Sequence, residues 1–230
     1  SVLAAEEVTE SLGGQVRQAV ELVVAALSDA GRAARAAGVV DPLPSPGEVY
    51  EASVTVLMRV VFLLFAEERG LLPASQTYRA AYGLTGQLDA LDARARESGE
   101  ETLDATSETW HRLLATSTAL YDGATFEDLR LPAYGGSLMD PQRFACLDRR
   151  DEAGRLVLTV SDRVMRAALD AVQVARVKGE ARRVSFREVD VEQIGYIYEG
   201  LLGYTCAPVT ELTLGVVGPA GREAEVPVRV

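Results

Sequence analysis

Val16, Val20, Val23, Val24 and Leu27 recur at spacings of three and four residues, which places them on one stripe of a helix. The pattern predicts a first helix from about Ala4 to Ala37. Gly13-Gly14 is a candidate break within it, Gly38 a candidate end, and Asp41-Pro42-Leu43-Pro44 a linker. The second helix has the clearest boundaries. Ser45-Pro46-Gly47-Glu48 reads as an N-cap serine, a proline in the first turn and a capping-box glutamate. Gly70, followed by Leu71-Leu72-Pro73, reads as its stop. Between these signals nearly every face is apolar, so this helix belongs at the centre of a bundle.

Further on, short helices are expected around Tyr78 to Tyr82 and Gly86 to Glu97, then a polar loop. A helix from about Ser107 to Tyr121 follows, with Trp110, Leu113, Leu114, Leu120 and Tyr121 on its apolar face and Gly123 at its end. Leu131 to Leu138 is a loop with paired glycines. Arg155 to Val160 is β-prone but short. Ser161 or Asp162 can cap the next helix, whose apolar positions are Val164, Ala168, Leu169 and Val172. Val184 to Val189 is expected to be extended. Asp190-Val191-Glu192-Gln193 is a second capping box, opening a helix with Ile194, Ile197, Tyr198, Leu201 and Leu202 on one face. The tail alternates around Gly218-Pro219-Ala220-Gly221 and predicts a hairpin, roughly Glu211 to Val217 against Glu223 to Val230. The expected fold is mainly α: an irregular multi-helix bundle with a small β-hairpin near the C-terminus. It divides into an N-terminal helix and linker (residues 1–44), a helical scaffold (45–207) and the hairpin or the start of a next domain (208–230).

Composition supports helices. Apolar residues make up 48% and aromatics 6%, a balance that suits helices better than a β-sandwich. The run Val54 to Ala66 is too short for a bilayer span and carries Arg59 in its middle. No membrane partner is expected, and no basic leader followed by an apolar run is visible. The net charge of −11 disfavours whole-surface binding to nucleic acid. Cys146 and Cys206 are far apart in sequence, which reads as two reduced thiols in a cytoplasmic protein.

Chemistry is sparse. His111, the sole histidine, sits beside Trp110 with no serine elbow elsewhere, so it reads as a boundary or surface residue. One histidine and two isolated cysteines cannot build a zinc site. There is no dinucleotide fingerprint and no P-loop. A metal-dependent nuclease motif fails, because Arg176 stands two residues before Lys178 where an acid is needed. Glu67-Glu68 reads as a solvated helix end, with Arg59 and Arg69 as candidate partners. One basic cluster stands out: Arg176, Lys178, Arg182, Arg183 and Arg187. Two readings are open for it: a solvated loop at a helix C-terminus, or a contact with a nucleic-acid backbone or a neighbouring acidic domain.

Three stretches taken together resemble a known family. They are Val49 to Pro73 (VYEASVTVLMRVVFLLFAEERGLLP), Leu131 to Pro141 (LPAYGGSLMDP) and Asp190 to Leu202 (DVEQIGYIYEGLL). Their order and spacing resemble the helical region upstream of the catalytic domain in large adenine-specific DNA methyltransferases. These include single-chain type IIG restriction–modification enzymes and the PglX-like methylases of BREX and DISARM phage defence. The match spans about two-thirds of the chain. The resemblance implies S-adenosylmethionine as the cofactor of the parent enzyme, with the methyltransferase domain of the same chain, DNA and other defence subunits as partners. It implies no catalytic, cofactor or metal residue within these 230 positions. The glycine-rich cofactor motif is missing, as is the Asn/Asp-Pro-Pro-aromatic motif that grips a flipped base. Met139-Asp140-Pro141-Gln142 has one proline and no following aromatic. The competing expectation is a stand-alone helical adaptor without enzymatic activity.

Overall fold

The computed structural model describes residues 2–39, 43–177, 180–207, 213–217 and 223–227. The chain is mainly helical: α1 (Val2–Ala36), α2 (Pro46–Glu68), α3 (Gln87–Ser98), α4 (Glu108–Asp122), α5 (Asp162–Gln173) and α6 (Val191–Leu202). A π-helical turn at Tyr78–Tyr82 and 3-10 segments at Glu100–Ala105 and Pro141–Leu147 connect them. Three antiparallel strand pairs are added: β1 (Ala124–Phe126) with β2 (Leu129–Leu131), β3 (Val174–Val177) with β4 (Glu180–Arg183), and β5 (Thr213–Val217) with β6 (Glu223–Pro227). The last pair is the expected C-terminal hairpin, in register from Thr213 opposite Pro227 to Val217 opposite Glu223.

The first helix runs unbroken through Gly13-Gly14. Its stripe of Val16, Val20, Val23 and Leu27 is fully buried, and it packs against α5, α2 and α6. Helix α2 forms as its local signals dictate. The Ser45 hydroxyl accepts from the Glu48 N–H and the Glu48 carboxylate accepts from the Ser45 N–H, closing the capping box. At its other end Gly70 takes a φ of +68°, and the Leu71 N–H reaches back to the Ala66 carbonyl, a helix stop that favours glycine. The helix is 23 residues long, longer than its most apolar run, and long and apolar enough by composition to cross a membrane. Yet 83% of its apolar window is buried inside the protein, which makes it the central helix of the core.

Two β expectations shift. Arg155 to Val160 forms no strand; Leu156, Leu158 and Val160 are buried, and a single bridge joins Arg150 to Leu156. Val184 to Val189 is a turn, and the strand pairing falls just before it, at β3 and β4. Val184, Phe186 and Val189 point into the core, so burial rather than ladder pairing explains their apolar spacing.

Candidate functional site

A charged residue lies at the centre of α2. Arg59 occupies the middle of this apolar helix and is 2% exposed. Its guanidinium donates to the Leu138 carbonyl at 2.7 Å and to the Asp140 carbonyl at 3.0 Å. Burial lowers its pKa, and the nearby Asp148 charge opposes that shift. The segment it grips is the paired-glycine loop. That loop returns along the end of α4, where Tyr134 and Gly135 donate their N–H groups to the Leu120 and Tyr121 carbonyls. These carbonyls belong to the last turn of the helix and have no partner within it. The close return requires glycine at 123. Its φ is +83°, and a Cβ there would meet the Ala133 nitrogen at 3.0 Å and the Leu131 oxygen at 3.1 Å.

The ends of α2 hold α6 and the turn before it. Near its start the Tyr50 hydroxyl donates to the Leu201 carbonyl in α6 at 2.7 Å. At its end Arg69 donates to the carbonyls of Arg187 and Val189, stacks its guanidinium 4.6 Å from the Phe65 ring centroid, and comes within 3.9 Å of Asp190. Asp190 is the N-cap of α6, whose capping box with Gln193 forms as the sequence predicts.

Glu67 and Glu68 are not a solvated pair. Neighbouring helix positions point in different directions, and each takes its own partners. Glu67 accepts from the Tyr78 hydroxyl at 2.9 Å and from the N–H groups of Leu84 and Thr85. Burial, and then the Glu67 charge, push the Tyr78 phenol well above its ordinary range. Glu68 accepts through its backbone carbonyl from the Arg187 guanidinium and through its carboxylate from the Arg187 N–H.

The basic cluster is dispersed by these bonds. Lys178 lies outside the described residues, and Arg176 stands in β3 with its backbone opposite Ala181. Arg182 is exposed in β4. Arg183 pairs with Asp89 of α3 at 2.9 Å. Both side chains of that pair are about half exposed or more, so it contributes no more than about 1 kcal/mol. Arg187 is spent on the end of α2. Of its described members, Arg176, Arg182 and Arg183 lie on the paired strands β3 and β4 and Arg187 on the turn after them, beyond the end of α5.

A second polar hub is tighter. The Asp162 side chain is fully buried. It accepts from the Thr106 hydroxyl at 2.6 Å, the Arg94 guanidinium at 2.8 Å and the Thr109 N–H at 2.9 Å. Arg94 also donates to Thr106. Three helices, α3, α4 and α5, are thereby tied through one carboxylate. The cap of α5 falls to Ser161, whose hydroxyl accepts from the Val164 N–H. The sequence offers Asp162 only as an alternative cap; its hub role depends on partners 53 to 68 residues away.

His111 is exposed, and its Nδ1 lies 2.7 Å from the Ser107 carbonyl. It lines a shallow cavity of about 420 Å³ with Tyr82, Asp122, Asp148 and Arg150. Burial raises the Asp148 pKa, with Arg59 and Arg150 opposing. No serine or cysteine lines that cavity. No group of three or more His, Cys, Asp or Glu suited to a metal ion occurs among the described residues. Cys146 and Cys206 are free thiols. Comparison of the chain with protein-family models, curated proteins and solved structures finds no match.

Proposed function

We propose that this chain is a non-catalytic helical scaffold and connector of an S-adenosylmethionine-dependent, adenine-specific DNA methyltransferase, working in the cytoplasm in restriction–modification or phage defence. One observation carries the reading. The three stretches that resemble the family, far apart in sequence, are bonded to one another through α2: Arg59 to the glycine loop, Tyr50 and Arg69 to α6 and its N-cap. A unit interlocked in this way is suited to hold a neighbouring catalytic domain at a fixed distance and angle, which is how a support contributes to catalysis. S-adenosylmethionine belongs to that catalytic domain, and DNA and other defence subunits are reached through the parent enzyme.

The test compares residues 1–230 alone with the complete gene product, using DNA and tritiated S-adenosylmethionine. The complete product should label adenine. The isolated chain should show a helical circular dichroism spectrum, unfold cooperatively and transfer nothing. Labelling by the isolated chain would overturn the scaffold reading. A complete reading frame lacking both methyltransferase motifs would overturn the methyltransferase reading and favour the stand-alone adaptor.

The basic cluster supplies a narrower reading, contact with the DNA backbone. Arg183 and Arg187 have partners in this chain, and reversing them would also disturb the fold; the test therefore falls on Arg176, Lys178 and Arg182. Reversing these three charges in the complete enzyme should weaken DNA binding on all sequences and flatten its salt dependence by about one unit of slope per lost phosphate contact. Unchanged affinity and slope would remove DNA contact from the proposal.

A further inference from the structure

We propose that the cavity along α4 binds a small organic cation, an ammonium or guanidinium group on a short apolar stem. The proposal goes beyond the scaffold reading and does not depend on it. The cavity volume is about 420 Å³, within the range of roughly 300–1,000 Å³ usual for small-molecule sites. One face of α4 forms the floor. His111, Ala115, Ala119 and Asp122 follow one another there at spacings of three and four residues. Alanine at the two central positions keeps the floor open between the polar ends.

The walls supply both parts of such a ligand's environment. Leu114 and Leu156 line the cavity as apolar, nearly buried side chains, a surface for the stem. Tyr82 adds an aromatic ring. That ring is stacked on Tyr78, with centroids 6.3 Å apart, and the Tyr78 hydroxyl is tied to Glu67. The ring is thus held in place within the fold itself. Aromatic rings attract cations placed over their faces within about 6 Å.

The polar groups set the sign of the charge. Asp122 and Asp148 both line the cavity, and among the described residues neither carboxylate accepts a hydrogen bond or forms an ion pair. Asp122 is the last residue of α4, whose last turn holds no basic residue. A carboxylate there adds to the negative end of the helix dipole instead of offsetting it. Asp148 is partly buried, and a cation beside it would favour its charged form. His111 contributes an acceptor. Its Nδ1 lies 2.7 Å from the Ser107 carbonyl; a carbonyl only accepts, so the neutral ring carries its proton on Nδ1 and leaves Nε2 with a lone pair. Arg150 also lines the cavity, and its guanidinium donates to the Gly154 carbonyl at 2.8 Å. Two carboxylates and an imidazole acceptor against one guanidinium call for a positively charged hydrogen-bond donor. An anion would face both acids.

The test titrates the complete gene product with n-butylammonium and n-butylguanidinium, followed by ligand-observed NMR. Butanol and butyrate serve as neutral and anionic controls of matching stem. Both cations should bind, and both controls should bind about tenfold more weakly or not at all, since the carboxylates attract only the cations. Asp122→Asn and Asp148→Asn should each weaken cation binding about fivefold, because each removes one charge and keeps the shape. Ala115→Leu, which fills the floor, should weaken it about tenfold through exclusion of the stem. Ala115 and Asp122 are exposed, so these two variants should unfold at the temperature of the parent and report on binding alone. Glu199→Gln on α6, a helix that contributes no residue to the cavity, should leave binding unchanged. Butanol or butyrate binding as tightly as the cations would overturn the proposal. So would cation binding that survives both Asp122→Asn and Ala115→Leu, or that falls equally with Glu199→Gln.

Discussion

Arg59→Met is expected to lower the stability of the chain by about 2–4 kcal/mol. The reason is what arginine does in the middle of α2. Its methylene stem shares a helix face with Val56 and Leu63, three and four positions away and both buried, and methionine reproduces most of that packing. The fork is different. It supplies two charge-assisted hydrogen bonds to the carbonyls of Leu138 and Asp140. A hydrogen bond to a charged group contributes about 1.5–3 kcal/mol. Methionine leaves both carbonyls without this donor. Against this, the variant no longer desolvates a guanidinium, a cost that offsets part of the loss. Arg59→Ala adds a cavity and should cost roughly 2 kcal/mol more. Urea denaturation at constant m-value measures the change. Hydrogen exchange localises it: in Arg59→Met the amides of Tyr134 and Gly135 should lose protection before those of α1, because the loop they anchor is released. The Asp148 carboxyl, already held above its usual range by burial, should rise further when the opposing Arg59 charge is removed. A methionine variant within 0.5 kcal/mol of the parent, inside the usual range for surface substitutions, would mean that the clamp contributes little.

That clamp also shows what a sequence discloses and what it withholds. The capping boxes at Ser45 and Asp190 and the glycine stop at Gly70 involve residues within three to five positions of each other, and they form as the pattern predicts. The apolar stripe of α1 fixes which of its faces is buried, and the all-round apolar run of α2 marks it as a core helix. Arg59 reads in sequence as an interruption of an apolar run. Its partners lie 79 and 81 residues away, and no local rule joins them. Glu67 reads as a solvated helix end for the same reason: its partners lie on the loop at Leu84 and Thr85. The basic cluster is visible as a run of charge, but charge alone does not say that Asp89 and the Glu68 carbonyl already occupy two of its members. In 184–189 the apolar residues turn inward from a loop, an arrangement whose spacing imitates a strand. The stretches 49–73, 131–141 and 190–202, far apart in sequence, are joined by bonds radiating from α2.

Asp162→Ala should cost about 3–5 kcal/mol, the penalty for removing one member of a buried charged network. The Arg94 guanidinium would lose its buried partner, and the Thr109 N–H its acceptor. Asp162→Asn separates charge from shape. Its amide oxygen can still accept from Thr109, but its NH2 group faces the Arg94 and Thr106 donors and the negative charge is gone. The pH dependence of the two proteins should therefore differ. Burial pushes the Asp162 carboxyl up. Hydrogen bonds from Thr106, the Thr109 N–H and Arg94 together outweigh it and hold the group below its ordinary value. Because the folded value lies below the unfolded one, near 3.9, the unfolded chain binds the proton more tightly in that interval. Folding stability from this group is fully present above the unfolded value and is lost as pH falls through the folded one. The Asn variant has no such proton to exchange. The gap in unfolding free energy between wild type and Asp162→Asn should therefore be constant from about pH 7 to 5 and narrow as pH drops below about 4. Urea denaturation of both proteins across this range reads the gap directly. A gap that stays constant into acid would show that the carboxylate is not stabilised by its hub. A gap that widens would show that its folded pKa is raised, with desolvation outweighing the three donors.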